Sequence, residues 1–167
     1  MAQTILVVDG EEVMRDIVTS MLRSDGYECR GAQNGLDALT VLESGDTVDL
    51  ILSEVMMVKL DGIGLLERVR EKYPSVPFAI VTSVHDVSVA EAAITLGACD
   101  YLLKPFEREQ LLAVVRRALL TRTPGSVDRE QLMARIRQVI EETKRKWEAA
   151  KTHQLQSSPP PGKKFRA

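Results

Sequence analysis

Thr4-Ile5-Leu6-Val7-Val8-Asp9-Gly10 is the stretch that decides the fold: an uninterrupted β-branched and apolar run, stopped by an acid and a glycine. A run this short and uniformly apolar reads as a strand buried on both faces, not one with a side on water. Val13, Ile17, Met21 and Leu22 then recur at helical spacing until Asp25-Gly26 ends the pattern. The alternation continues outward. A weaker strand over 28–32 passes through Asn34-Gly35 into a helix bearing Leu36, Leu39 and Leu42, broken at Gly45-Asp46. Leu50-Ile51-Leu52 is the third strand, and beyond a loop ending at Asp61-Gly62 comes a helix with Ile63, Leu66, Val69 and Arg70, closed by Pro74. Strands over 78–81 and 101–103 and helices over 87–96 and 107–120 complete a (βα)5 series. Strands that alternate with helices pair in parallel, so the expected fold is a doubly wound α/β sheet.

In such a sheet the ligand crevice lies at the carboxyl ends of the strands, where strand order reverses. The residues just past those ends are Asp9 and Gly10, Ser53 and Glu54, Thr82 and Ser83, and Lys104-Pro105. Two carboxylates, a hydroxyl and an ammonium thus meet on one rim from distant parts of the chain. Each alone reads as something plainer: Thr82 as a cap for the fourth helix, Tyr101 as core, and the others as loop residues. Pro105 pushes Lys104 toward extended backbone.

The 167 residues fit one core with an appendage, and 44% hydrophobic with 28% charged residues excludes a wholly disordered, collagen-like or disulfide-stapled chain. With 4% aromatic residues the core must be aliphatic. No apolar run is long enough to cross a bilayer and no signal peptide opens the chain, so a cytoplasmic location without membrane contact is expected. Cys29 and Cys99 stand apart from any Cys/His cluster, and His85 and His153 have no partner at metal-ligand spacing, so these read as reduced thiols and surface imidazoles. Met56-Met57 reads as loop and core packing. Charge is divided unevenly: residues 1–120 hold 11 Lys and Arg against 19 Asp and Glu, whereas 121–167 hold 11 against 5.

The segments ILVVDGEEVMRDI, DLILSEVMMVKLDG, AIVTS and DYLLKPF resemble, in order and spacing, the receiver domain of bacterial two-component response regulators over about residues 3–120. That resemblance implies a flavodoxin-like fold of strand order 2-1-3-4-5. It also implies an Asp after the third strand that takes a phosphoryl group from a histidine kinase, with Mg2+ held by acids after the first strand. By position, Asp9 is one metal-site acid, Thr82 the switch hydroxyl, Lys104 the phosphoryl-binding ammonium and Tyr101 the aromatic that turns inward when the site is charged. The metal set carried over is Asp9, Glu54 and the Met56 backbone. Phosphoryl transfer is positioning plus charge neutralisation, which suits these groups.

The sequence departs from the family where that chemistry happens. Glu54 stands where the family has Asp, Gly10 where it has a second metal-site acid, and Val58 where it has Pro. Glu54 carries its carboxylate about 1.5 Å farther from the backbone, and an error near 1 Å can cost about two orders of magnitude in rate. Gly10 removes a ligand from an ion that demands near-ideal octahedral geometry, so a weak or absent Mg2+ site is expected, with Glu11 or Glu12 as partial substitutes. Two readings of Glu54 stand side by side: a mimic of the phosphorylated acceptor, or a partner for Lys104 in an inert pocket. Both make the domain a pseudo-receiver, not an enzyme, that works through protein contacts with a histidine kinase or effector. A still phosphorylatable regulator is the alternative.

Residues 121–127 read as a linker with Pro124-Gly125, 128–151 as an amphipathic helix capped by Asp128, and 152–167 as a flexible basic tail. Met133, Ile136, Ile140, Thr143, Trp147 and Ala150 step by 3 and 4, a narrow stripe that must be buried against something. It can dock on the receiver or pair with a second copy, and its narrowness favours a homodimer. Nucleic-acid binding by this basic helix has thin support, since no helix-turn-helix pattern accompanies it.

Overall fold

A computed structural model of the chain describes residues 2–121 and 128–156. Five strands, β1 (Thr4–Val8), β2 (Glu28–Ala32), β3 (Leu50–Ser53), β4 (Phe78–Thr82) and β5 (Asp100–Leu103), form one parallel sheet of order β2-β1-β3-β4-β5. Helices α1 (Glu12–Ser24), α2 (Gly35–Glu43), α3 (Gly62–Lys72), α4 (Val87–Thr95) and α5 (Arg108–Leu120) connect and follow them. The parallel α/β sheet is as the alternation of apolar runs and helical periods requires, and its flavodoxin-like strand order is the one the resemblance implies.

Because side chains alternate across a strand, each strand feeds two cores. Leu6, Val8, Ile51, Phe78 and Ile80 face one side, with Leu65, Leu66, Val69 and Ala90 packed over them. Ile5, Val7, Leu50, Leu52 and Val81 face the other, beneath Val18 and Leu22 of α1 and Leu111, Leu112 and Val115 of α5. The sequence pattern for α1 needs a correction here. Val13 and Ile17 are exposed, whereas Leu22 is buried and Met21 partly buried as expected, and Val18, outside the expected set, is buried with them. The apolar set of α1 is wider than its buried stripe, so periodicity alone does not say which edge faces the sheet.

A sixth helix, α6 (Arg129–Gln156), begins at Asp128, whose side chain accepts a hydrogen bond from the Gln131 amide at 3.1 Å. It runs five residues past the expected end at Lys151, because Thr152 to Gln156 contain no helix breaker and Pro159 is the first one. The tail expected from 152 therefore starts as helix; 157–167, and the linker over 122–127, lie outside the described residues. The helix docks on α4 and β5, burying Leu132, Met133, Ile136 and Ile140 in the core on that side. Half of the apolar stripe is thus used within the chain. Thr143 is half-buried and Trp147 and Ala150 are exposed.

Candidate functional site

Each strand of the sheet's centre ends in a polar group that cannot continue the apolar run, and the parallel register brings those ends together. Val8 pairs with Ser53 across β1 and β3, and Thr82 with Leu103 across β4 and β5, so Asp9, Glu54 and Lys104 follow on one rim. The Glu54 amide donates to the Val8 carbonyl at 2.9 Å, and the Lys104 amide to the Thr82 carbonyl at 2.8 Å, which fixes both backbones. The Lys104-Pro105 peptide bond is cis. All four expected polar residues are buried: Asp9, Glu54, Thr82 and Lys104.

Their side chains form one bonded unit. Lys104 Nζ donates to Asp9 Oδ2 at 2.6 Å and to Glu54 Oε2 at 2.8 Å. Glu54 Oε1 accepts from the Val55 amide at 2.7 Å and the Met56 amide at 3.4 Å, and also from the Thr82 hydroxyl. Burial alone would push the Lys104 ammonium down; the hydrogen bonds and charges of Asp9 and Glu54 outweigh it and hold the group above the ordinary lysine range. Thr82 Oγ1 in turn accepts from the Val84 amide at 3.2 Å, and the Tyr101 hydroxyl donates to the Val84 carbonyl at 2.8 Å. Tyr101 is therefore turned inward and buried, and burial together with the Glu54 charge raises its phenol well above the usual range. Thr82 does not cap α4: that place is taken by Asp86, which accepts from the Ser88 amide at 2.8 Å.

The carried-over Mg2+ set of Asp9, Glu54 and the Met56 carbonyl offers two side-chain carboxylates. In this structure both carboxylates are bonded to Lys104, and Gly10 offers no side chain to the set. Glu11 and Glu12 are exposed, and the Glu11 amide is used to donate to Asp9 Oδ1 at 2.9 Å. Among the described residues no group of three or more His, Cys, Asp or Glu could hold a metal ion.

Several parts of the pocket were not legible in the sequence. The Val55 and Met56 amides that hold Glu54 carry no residue-type signal, since they are backbone. A Cβ on Gly62 would lie 2.1 Å from the Glu54 carbonyl oxygen, so only glycine lets the start of α3 approach the loop that presents Glu54. Asp61-Gly62 was visible as a loop end, not as a support for the site. Behind the sheet edge, buried Asp100 gathers Arg117 Nη2 at 2.9 Å from α5 and Arg135 Nη2 at 3.2 Å from α6. His85 is not a plain surface residue, because it is half-buried and its Nε2 is enclosed without a hydrogen-bond partner among the described residues. His153 is exposed. Met56 is exposed and Met57 packs on the core.

An acidic pocket at the switch point of a 2-1-3-4-5 sheet, with a hydroxyl and a lysine across from the carboxylates, defines a CheY-like signalling domain. The chain belongs to the response regulator receiver domain family, whose sequence model matches residues 5–116. It is 35% identical over 113 residues to the DNA-binding transcriptional regulator NtrC of Escherichia coli K12, covering 68% of this chain and 24% of that protein. It is 38% identical over 128 residues to the response regulator MprA of Mycobacterium avium, covering 77% of this chain and 55% of that protein. The receiver domain of NtrX from Brucella abortus superimposes with a TM-score of 0.67 at 33% identity, covering 70% of this chain and 98% of that one. The chain thus spans between about a quarter and about half of these curated relatives. No helix among the described residues is long and apolar enough to cross a membrane.

Proposed function

We propose that this chain is an atypical receiver held in the charged-pocket state by its own Glu54, and that it signals by protein contact without phosphotransfer. The observation that carries this reading is the Glu54 carboxylate itself. One oxygen takes the Thr82 hydroxyl and two backbone amides, and the other takes Lys104, the same groups a phosphoryl on a shorter acceptor would engage. The inward Tyr101, tied to the same loop through Val84, favours the mimic over the inert pocket. A carboxylate has less charge and fewer acceptor oxygens than an acyl phosphate, so the mimicry is partial. Lys104, between Asp9 and Glu54, supplies positive charge to both carboxylates. The domain then acts as a cytoplasmic adaptor for a histidine kinase or a downstream effector, not as an enzyme.

The test is incubation with acetyl phosphate and Mg2+ followed by intact mass. The native chain gains no phosphate, whereas Gly10→Asp with Glu54→Asp does. A Cβ at Gly10 meets nothing nearer than the Gln33 carbonyl oxygen at 3.7 Å, so the added acid fits. Stable Mg2+-dependent labelling of Glu54 in the native chain would overturn the proposal.

A further inference from the structure

Between α5 and the outer turns of α6 lies a trough of about 720 Å3, inside the range of about 300–1,000 Å3 in which small-molecule sites fall. Leu102 of β5 lines its floor, Ala113 and Val114 of α5 one wall, and Val139 and Trp147 of α6 the other. Val139 and Trp147 are 41% and 61% exposed, so the α6 wall is uncovered although the turns before it are buried. From Asp100 to Lys104 the floor runs about 13 Å at 3.3 Å per residue, the length of an extended chain of about ten carbons.

The two ends of the trough differ in chemistry. At the Asp100 end one buried carboxylate ties the walls together: Arg117 of α5 donates to Oδ2 through Nε at 3.1 Å and Nη2 at 2.9 Å, and Arg135 of α6 donates to Oδ1 through Nη2 at 3.2 Å. Two guanidiniums on one carboxylate leave that end positive. Nη1 of Arg117 and Nε and Nη1 of Arg135 have no acceptor among the described residues, and both side chains remain about half exposed. About 18 Å along α6 from Arg135, Trp147 closes the apolar wall with Lys151 Nζ 3.6 Å from its ring centre. Glu142 is the one exposed carboxylate among the lining residues, and it already accepts from Gln138 Nε2 at 3.1 Å.

We infer that the trough binds a small amphipathic anion, a medium-chain acyl carboxylate, with its head on Arg117 and Arg135 and its chain over Leu102 toward Trp147. A guanidinium takes a carboxylate through paired N–H donors, and the unused nitrogens of the two arginines supply them. The chain, laid between two apolar walls, leaves water on both sides. Charge decides against the nearer occupants. A second copy of α6 would bring Lys144, Arg145, Lys146 and Lys151 with Glu148 as the only acid after Glu142, and the chain's own segment 157–167 carries Lys163, Lys164 and Arg166 and no acid. Both would meet like charge. Because the ligand touches α5 and α6 together, it fastens the outer turns of α6 to the receiver. The inference does not depend on how Glu54 acts.

Trp147 is the single tryptophan of the chain, so its emission reports the trough directly. The full chain is titrated with decanoate, decanol and decylamine, which share a chain and differ in the charge of the head, each below the concentration at which it aggregates. Decanoate should shift Trp147 emission to the blue, saturate at one molecule per chain in calorimetry, and slow amide exchange over residues 139–147. Decanol and decylamine should each bind at least about tenfold more weakly. Arg135→Gln should weaken decanoate at least about fivefold and leave decanol unchanged, because Arg117 still pairs Asp100. Val139→Glu, which sets an acid in the wall, should weaken decanoate at least about tenfold. Both side chains are exposed, so the fold survives either change. No binding, equal binding of the three probes, many molecules per chain, unslowed exchange, or an Arg135→Gln effect that falls on decanol as much as on decanoate would overturn the inference. So would a dimer in light scattering that Val139→Glu abolishes, or a Trp147 emission change on ending the chain at Gln156. Those last outcomes give the trough to a second copy or to the chain's own tail.

Discussion

Lys104 and Glu54, fifty residues apart in sequence, meet at 2.8 Å in the interior of the switch-point pocket, and the same ammonium lies 2.6 Å from Asp9. One cation therefore serves two buried carboxylates. The pocket's stability hangs on that side chain.

Lys104→Met leaves Asp9 and Glu54 facing each other without a counter-ion. Removing one partner of a buried ion pair costs about 3–5 kcal/mol, whereas removing charge from both sides costs much less. Urea unfolding should register a loss of that size for Lys104→Met, and adding Glu54→Gln should recover a substantial part of it. A double variant no more stable than Lys104→Met alone would mean that the Glu54 charge is not coupled to Lys104.

The inward position of Tyr101 should depend on Glu54. Glu54→Gln keeps the shape but removes the charge from the Thr82 and Lys104 contacts, and Thr82→Ala removes the link to the Val84 amide. Fluorotyrosine NMR should then give Tyr101 a second, solvent-exposed signal in both variants. An inward Tyr101 unchanged in Glu54→Gln would show that something other than this carboxylate sets the state.

Alkaline pH should destabilise the chain in two steps. Burial pushes the Cys99 thiol from 9.0 up to about 11, and Lys104 and Tyr101 are also raised. For all three the folded chain holds the proton more tightly. The stability they contribute is complete below their unfolded values and is lost as pH rises through the folded ones. Cys99 acts first, with a loss of roughly 2 kcal/mol between about pH 9 and 11. Measured as urea midpoint against pH, Cys99→Ala should fall less steeply than the native chain between about pH 9 and 10, and the fall that remains there belongs to Cys29, whose thiol burial also raises. A decline from pH 9 in Cys99→Ala equal to that of the native chain would remove the thiol as its source.

Undocking α6 should cost stability before it changes oligomeric state. Ile140 is 0% exposed against α4, and truncating a buried Ile to Ala typically costs about 2–5 kcal/mol. Ile136→Asp with Ile140→Asp should lower the unfolding midpoint strongly and raise exchange of the α6 amides while the molar mass in light scattering stays the same. A fall in mass by half would instead assign those residues to a homodimer seam.

How much of this was written in the chain differs by element. Runs such as Thr4–Val8 and Phe78–Thr82 specify buried parallel strands because nothing in them can face water, and the breaks after them place polar groups at the strand ends. The fold class and the gathering of Asp9, Glu54, Thr82 and Lys104 on one rim are properties of local pattern and spacing, whereas strand order and the place of Tyr101 came from the resemblance. The state of that site came from neither. Whether Glu54 reaches Thr82, whether Lys104 takes one carboxylate or two, and which way Tyr101 turns depend on atoms brought together over fifty or more residues. Residue type carries no record of the Val55 and Met56 amides that complete the cradle. The same limit applies to α6. Its stripe required a partner surface, but the choice of α4 and β5 for Leu132 to Ile140, with Trp147 left uncovered, was made by where the helix begins after β5–α5 and by the Asp100 carboxylate that pins Arg135 to the sheet edge.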